Sequence, residues 1–259
     1  MARKKTAKKK INDEEQQTLD DLLKGKGFEG ASSSSYAMPF LRILQKLSPE
    51  VDRDDNAYVK GAKPGMILHT ITKDCFDEIA IIPLQYKDTY IEWIPRSKGG
   101  GFVTEYDAID PIAKEILSTC VKEDNKRVLP NGNEFKLHSN YFCAFDDGAS
   151  DEWEPVMISM SSSQLKTSRI WLSTMRRMVL EVNGKTYRNI NIRSYQWMLG
   201  TEKLSNDKGT WFGWTYEVGD NTLLLPEIGP IQESVREAIT TNLLTYDRDQ
   251  QQGGGENVL

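Results

Sequence analysis

Glu154-Pro-Val-Met-Ile-Ser-Met160, Ser163-Gln-Leu-Lys-Thr-Ser-Arg-Ile-Trp-Leu-Ser-Thr-Met-Arg-Arg-Met178, Asn189-Ile-Asn-Ile-Arg-Ser-Tyr-Gln-Trp-Met-Leu199 and Gly209-Thr-Trp-Phe-Gly-Trp-Thr-Tyr-Glu217 all fall between Trp153 and Glu217. The first is β-branched and bounded by polar residues, and reads as a strand. The second reads as a helix, with Leu165, Leu172, Met175 and Val179 on one face and Lys166, Arg169, Ser173, Arg176 and Arg177 mostly on another. Ser161, Ser162 and Ser163 supply N-caps, and Asn183-Gly184 closes the segment. The last two stretches read as strands joined by a turn at Asn206-Asp-Lys-Gly209. Helix and hairpin place cations beside aromatic rings. A flexible polyanion with exposed bases needs both, because cations track phosphates and rings stack on bases.

Outward from this stretch, short β-type runs dominate: Met66–Thr72, Glu78–Leu84, Thr89–Pro95, Phe102–Thr104 and Glu134–Phe145. Asp107–Val121 has a helical pattern with Ile109, Ile112, Ile116 and Leu117 on one side, and a further helix is expected over Gln232–Leu244. Short strands with helices inserted between them give a mainly β, α+β fold, of which an OB-like small β-barrel is the class most associated with oligonucleotides. Three regions follow: a flexible basic arm over 1–36, an OB-like body over 37–219, and a C-terminal helix with a disordered polar tail over 220–259.

The totals exclude several classes. No apolar run approaches the ~20 residues that span a bilayer, and the Lys-rich start has no apolar segment behind it, so a secretory signal is not expected. Three widely spaced cysteines, Cys75, Cys120 and Cys143, make no disulfide framework, which suits a reducing cytoplasm. Net charge is −5, but the first ten residues carry +6, leaving −11 on residues 11–259. Charge is therefore partitioned along the chain, and its local clustering matters more than its sum.

The basic helix is the first candidate site. Lys166, Arg169, Arg176 and Arg177 have no acidic residue between positions 155 and 180, so the usual intrahelical pairing is missing. Arg188 and Arg193 extend the patch. Trp197, Trp211 and Trp214, with Tyr195 and Tyr216, supply rings on the last strand pair. Strand alternation puts Trp211 on one face and Phe212, Trp214 and Tyr216 on the other, without deciding which face is core. Tyr86, Tyr90, Trp93 and Phe102 carry the same ambiguity between core and base contact. In Trp93-Ile-Pro-Arg-Ser-Lys-Gly-Gly-Gly-Phe102, glycines beside Arg96 and Lys98 would let backbone amides approach a phosphate, as would a plain flexible hairpin tip.

Enzymatic signatures are missing: no Gly-x-Ser-x-Gly, no His-Glu-x-x-His and no dinucleotide fingerprint occurs. His69, Cys75, His138 and Cys143 have loose spacing for a zinc set, and ordinary buried thiols and histidines account for them better. Asp146, Asp147, Asp151 and Glu152 would hold Mg2+ in a nuclease, but read as a polar loop. No catalytic residue, metal or cofactor is expected.

The chain resembles a group of bacteriophage single-stranded DNA-binding proteins. Pro39-Phe-Leu-Arg-Ile-Leu-Gln45 with Ser48-Pro49, Gly61-Ala-Lys-Pro-Gly-Met66, Ile79–Gly101, and Val156–Trp214 carry the resemblance. The last includes Ile158-Ser-Met-Ser-Ser-Ser-Gln-Leu-Lys166 and Asn206-Asp-Lys-Gly-Thr-Trp-Phe-Gly-Trp214. The resemblance implies a non-catalytic protein that handles single strands in phage DNA replication or recombination, in the host cytoplasm. Single-stranded DNA and phage replication or recombination proteins are its implied partners, with no membrane and with self-association left open. The weakly acidic end, Tyr246-Asp-Arg-Asp249 to Glu256, departs from the acidic tail usual in such proteins and puts tail-mediated recruitment in doubt. The competing expectation is a structural or adaptor protein of a virion or replication complex, with the aromatic patch as a protein interface.

Overall fold

Ile79-Ala-Ile-Ile-Pro-Leu84 is apolar at nearly every position, the pattern of a strand covered on both faces. In the computed structural model, which describes residues 37–123, 126–146, 153–207, 209–222 and 225–240, this run opens the longest strand. In chain order the strands are β1 (Leu41–Ile43), β2 (Ile67–His69), β3 (Cys75–Phe76), β4 (Ile79–Ile94), β5 (Gly101–Asp107), β6 (Val121–Glu123) and β7 (Lys126–Val128). They continue with β8 (Glu134–Phe145), β9 (Glu154–Ser161), β10 (Leu180–Val182), β11 (Lys185–Tyr187), β12 (Tyr195–Asn206) and β13 (Gly209–Asn221). The helices are α1 (Pro111–Thr119), α2 (Leu165–Arg177) and α3 (Ile228–Thr240). The fold is mainly β with added helices, in the α+β class.

Eight strands form one antiparallel sheet ordered β13-β12-β4-β8-β7-β6, with β5 added to the far half of β4 and β9 to β8. Its centre is the β4–β8 pair, in register from Ile81↔Phe145 to Trp93↔Glu134. Pro83 lacks the N–H a central strand must donate. It is accommodated at a bulge: the register steps from Pro83↔Cys143 to Gln85↔Phe142, leaving Leu84 without a register partner on β8. A bulge sharpens twist, and a second register shift at Glu92/Trp93 adds to the curl. The two runs expected at Glu78–Leu84 and Thr89–Pro95 are thus one strand carried across the bulge.

Each face of the sheet has its own core. On one, Ile79, Ile81, Tyr141, Cys143, Phe145, Val156, Ile158, Trp197, Leu199 and Trp214 are roofed by Trp171 and Met175 of α2 and by Leu41, Ile43 and Ile67 of the small β1-β2-β3 sheet. On the other, Ile82, Leu84, Phe142, Ala144 and Met157 meet Met38, Phe40 and the α3 residues Ile228 and Val235. Helix α3 therefore packs on the sheet through Ile228 and Val235, where the sequence reading had set 220–259 apart from the body. The helix begins at Ile228 rather than Gln232, and its expected end at 241–244 lies outside the described residues, as do the arm over 1–36 and the terminal tail.

Two helices differ from their sequence reading. In α1, only Ala113 is buried, while Ile109 and Ile112 are 79% and 55% exposed. The segment Gly101–Asp107 joins the sheet edge, so the helix starts four residues later, capped by Asp110 accepting from the Ile112 N–H at 2.8 Å. In α2 the anchor is Trp171, fully buried, rather than the leucines, which are half-buried. Its ring lies 4.4 Å from Tyr141, 5.7 Å from Tyr216 and 5.8 Å from Trp197. Tyr141 also donates toward Ser168 O at 2.9 Å, so one hydroxyl and one indole fix the helix on the sheet.

Trp171→Ala is expected to lower unfolding free energy by about 3–5 kcal/mol, the usual cost of emptying a large aromatic site. Urea unfolding checks this, and a loss under about 1 kcal/mol would remove Trp171 as the anchor of α2.

Candidate nucleic-acid interface

With Ser168, Trp171 and Met175 turned inward, geometry puts the cations of α2 outward. At 3.6 residues per turn, Lys166, Arg169, Arg176 and Arg177 fall within an arc of about 100° opposite the buried face. All four are exposed. The helix contains no acidic residue, and among the described residues none of the four makes an ion pair. Arg176 and Arg177 occupy the last turn, where the helix dipole favours positive charge. Lys166 and Arg169 lie in the first turns, where the dipole disfavours it, so the helix itself gives no reason for them. The expected serine caps are absent: Ser162–Gln164 form a 3-10 turn with no side-chain cap.

Immediately after α2 the chain forms a ribbon that sequence reasoning missed. Asn183-Gly184 closes not the helix but a β-hairpin, pairing Leu180↔Tyr187 and Val182↔Lys185. Both turn residues have positive φ, 50° and 74°, the backbone of a two-residue primed turn. The ribbon is separate from the eight-stranded sheet. Leu180 roots it in the core, whereas Lys185, Tyr187 and Arg188 are exposed. The signal was available in the Asn-Gly dipeptide flanked by β-formers.

The aromatic candidates divide differently from the cations. Trp93, Trp197 and Trp214 are 4%, 1% and 4% exposed and belong to packed interiors, which leaves no ring face open to a base. The alternation on β13 resolves accordingly: Phe212, Trp214 and Tyr216 face the core. Trp211, on the opposite face across from Leu204, is half-buried.

The glycine loop and Arg193 lie apart from α2. From Tyr86, in edge contact with Tyr141 beneath α2, strand β4 runs on to Trp93, roughly 23 Å away at about 3.3 Å per residue. Arg96 and Lys98 sit in a 3-10 turn beyond it, both exposed, with Gly99 left-handed at its end. The Lys98 ammonium lies against Gly132 in the next turn, where even a Cβ would come within 2.6 Å of it. Arg193 is half-buried, its guanidinium 3.8 Å from a Cβ position at Gly229 near the start of α3. It packs on the α3 side of the sheet, so it does not extend the α2 stripe.

Beneath these surfaces the sheet carries a polar chain on its α3 face. The Trp93 indole N–H donates to His138 Nε2 at 3.4 Å, His138 Nδ1 is 3.1 Å from Ser159 Oγ, Ser159 donates to Asn140 Oδ1 at 2.8 Å, and Asn140 donates to Thr89 at 2.9 Å. Nearby, desolvation pulls the half-buried Lys136 ammonium down to about 8, against the opposing pull of Glu134. On the α2 face, Asp88 Oδ1 accepts from Tyr86 at 2.6 Å and Ser139 at 2.7 Å. Burial first, and the Asp88 bond second, push the Tyr86 phenol up to about 12. Burial likewise raises Tyr141 and Cys143.

These groups do not converge on a metal or nucleophilic centre. His138 and Cys143 share β8 but point to opposite faces, and His69 Nδ1 already meets Thr72 Oγ1 at 3.0 Å. His69, Cys75, His138 and Cys143, loosely spaced in the sequence, are therefore not brought together as a zinc set. Of the acidic residues suited to Mg2+, Asp146 directly follows β8, and Asp147, Asp151 and Glu152 lie outside the described residues. No described helix is long and apolar enough to cross a membrane.

A family model described as Pam3 phage gp34-like protein matches residues 7–230, and the chain belongs to that family. No curated protein and no solved structure matches it.

The Tyr86 shift carries a pH prediction. An unfolded tyrosine ionises near 10.0 and the folded one near 12, so the contribution of Tyr86 is complete below pH 10 and is lost as pH rises from 10 to 12. Urea titrations at pH 9 and 11 are expected to show a smaller alkaline loss in Tyr86→Phe than in the wild type. Equal losses would assign the alkaline sensitivity elsewhere.

Proposed function

We propose that this member of the Pam3 phage gp34-like protein family is a non-catalytic, sequence-independent single-stranded DNA-binding protein, acting in phage DNA replication or recombination in the host cytoplasm. The observation carrying the reading is the α2 stripe: four exposed cations, no acid on the helix, and no ion pair among the described residues. Exposed cations left without partners are what counterion release on a phosphate chain requires. The helix is held rigidly by Trp171 and Tyr141, so its charges reach a strand with little further ordering.

The reading rests on phosphate tracking by Lys166, Arg169, Arg176 and Arg177, and not on the tryptophans first considered for stacking. Nor does it need an OB-like barrel. The described sheet runs between two ends, β13 and β6, and the surface we assign is a helix face rather than a barrel groove.

A structural or adaptor role is the second reading. It is favoured by the exposed apolar residues Ile109, Ile112 and Val121 around α1, since exposed apolar clusters mark protein contacts. Salt-insensitive partner binding without DNA affinity would select it.

Fluorescence anisotropy of labelled oligo-dT, with duplex as competitor, tests the first reading. Four phosphate contacts by α2 predict a slope of log K against log salt of about −2.8, at roughly 0.7 per contact for single strands. Lys166→Gln with Arg169→Gln is expected to reduce that slope by about 1.4. Absence of binding at low salt would sink the reading.

A further inference from the structure

We infer that the β10–β11 ribbon is the base-contacting element of this site, with Tyr187 as the ring on which an unpaired base stacks. The inference rests on the single-strand reading of α2 and deepens it: α2 holds the phosphates, and the ribbon selects strands whose bases are open.

The aromatic placement forces the question. Phosphate contacts alone do not distinguish one strand from two; a sequence-tolerant single-strand binder needs a ring with a free face. Trp93, Trp197 and Trp214 are packed on all sides, and Trp211 is half-buried. Tyr187 is 43% exposed, on an element that lies outside the main sheet.

The surroundings of Tyr187 suit the task. Its backbone pairs with Leu180, which is buried at the ribbon root, so the ring is mounted on a fixed base. The Lys185 ammonium stands 5.0 Å from the ring centroid, on the same face of the same strand. Arg188 follows directly and is exposed. With the Lys185 ammonium over one face, the ring has its other face for a base, and Lys185 and Arg188 are near enough in the chain to meet the flanking phosphates.

Distance links the two elements. Leu180 is three residues beyond Arg177 and lies opposite Tyr187. At about 3.8 Å per residue and about 5 Å across the pair, the Tyr187 backbone is within roughly 16 Å of Arg177. One short oligonucleotide can therefore touch both. The turn keeps the ribbon's shape, since Asn183 and Gly184 adopt the left-handed backbone that a two-residue hairpin requires.

The test uses the full chain and two oligonucleotides of equal charge, oligo-dT and the same length carrying abasic sites. The wild type is expected to bind the abasic oligonucleotide roughly tenfold more weakly than oligo-dT. Tyr187→Ala should bind oligo-dT about as weakly as the wild type binds the abasic strand, with an unchanged salt slope and no preference between the two. Tyr187→Phe, which keeps the ring, should retain wild-type affinity and shows that the position tolerates change. If Tyr187→Ala binds oligo-dT like the wild type while Lys166→Gln with Arg169→Gln weakens it, the ribbon inference is overturned and the α2 reading stands. Equal wild-type affinity for both oligonucleotides also overturns the inference, because no base is then being read. If the wild type binds neither, both fall.

Discussion

The outward edge of β13 must find hydrogen-bond partners that no further described strand supplies, and at Phe212 and Trp214 two glutamine side chains provide them. Gln45 donates to Phe212 O at 2.9 Å and accepts from the Phe212 N–H at 2.8 Å, in the manner of a neighbouring strand. Gln164 donates to the same carbonyl at 3.3 Å and accepts from the Trp214 N–H at 3.2 Å. Unpaired edges invite pairing with other chains, and this one is occupied from within. Because Gln164 immediately precedes α2, the same contacts set where the helix begins. On the ring of Phe212, Gly65 sits so closely that a Cβ there would come within 2.6 Å, and its φ of +94° is one that side chains rarely adopt. Thr201 closes the arrangement by donating to Gly65 O at 2.5 Å.

Three stretches far apart in the chain thus converge on β13. They are Pro39–Gln45, Gly61–Met66 and Ile158–Lys166, and they meet Asn206–Trp214. These are the segments on which the expectation of a phage single-strand binder was based. Their shared work here is architectural: they end the sheet, seat the basic helix and leave its outer face to solvent. The cations of α2 are then exposed as a consequence of what Trp171 and Met175 must bury, and the ribbon follows from the same helix through Leu180.

Much of the secondary structure was legible locally. Strand β8 matches its expected bounds, Glu134–Phe145, because a Pro-Asn-Gly-Asn turn precedes it and an Asp follows it. Helix α2 was legible from its period, and its cation face from the same arithmetic. Less was legible where two signals compete. Pro83 reads as a strand breaker, yet a bulge absorbs it and β4 continues. Asn183-Gly184 serves a helix end and a hairpin equally well in one dimension, and only the pairing of Leu180 with Tyr187 separates them. The α1 isoleucines have the spacing of a buried stripe but no described element covers Ile109 and Ile112.

By itself the sequence determined the mainly β class with added helices, the unpaired charge of residues 166–177, and the alternation that keeps Trp211 apart from Phe212, Trp214 and Tyr216. Those are properties of neighbours along the chain, set by the periods of helix and strand. Only the tertiary structure decided which alternating face was core, that Trp93, Trp197 and Trp214 are interior, and that Arg193, Arg96 and Lys98 stand apart from α2. The reason is physical: a tryptophan offers the same ring to a base and to a core, and the choice depends on what long-range packing places over it.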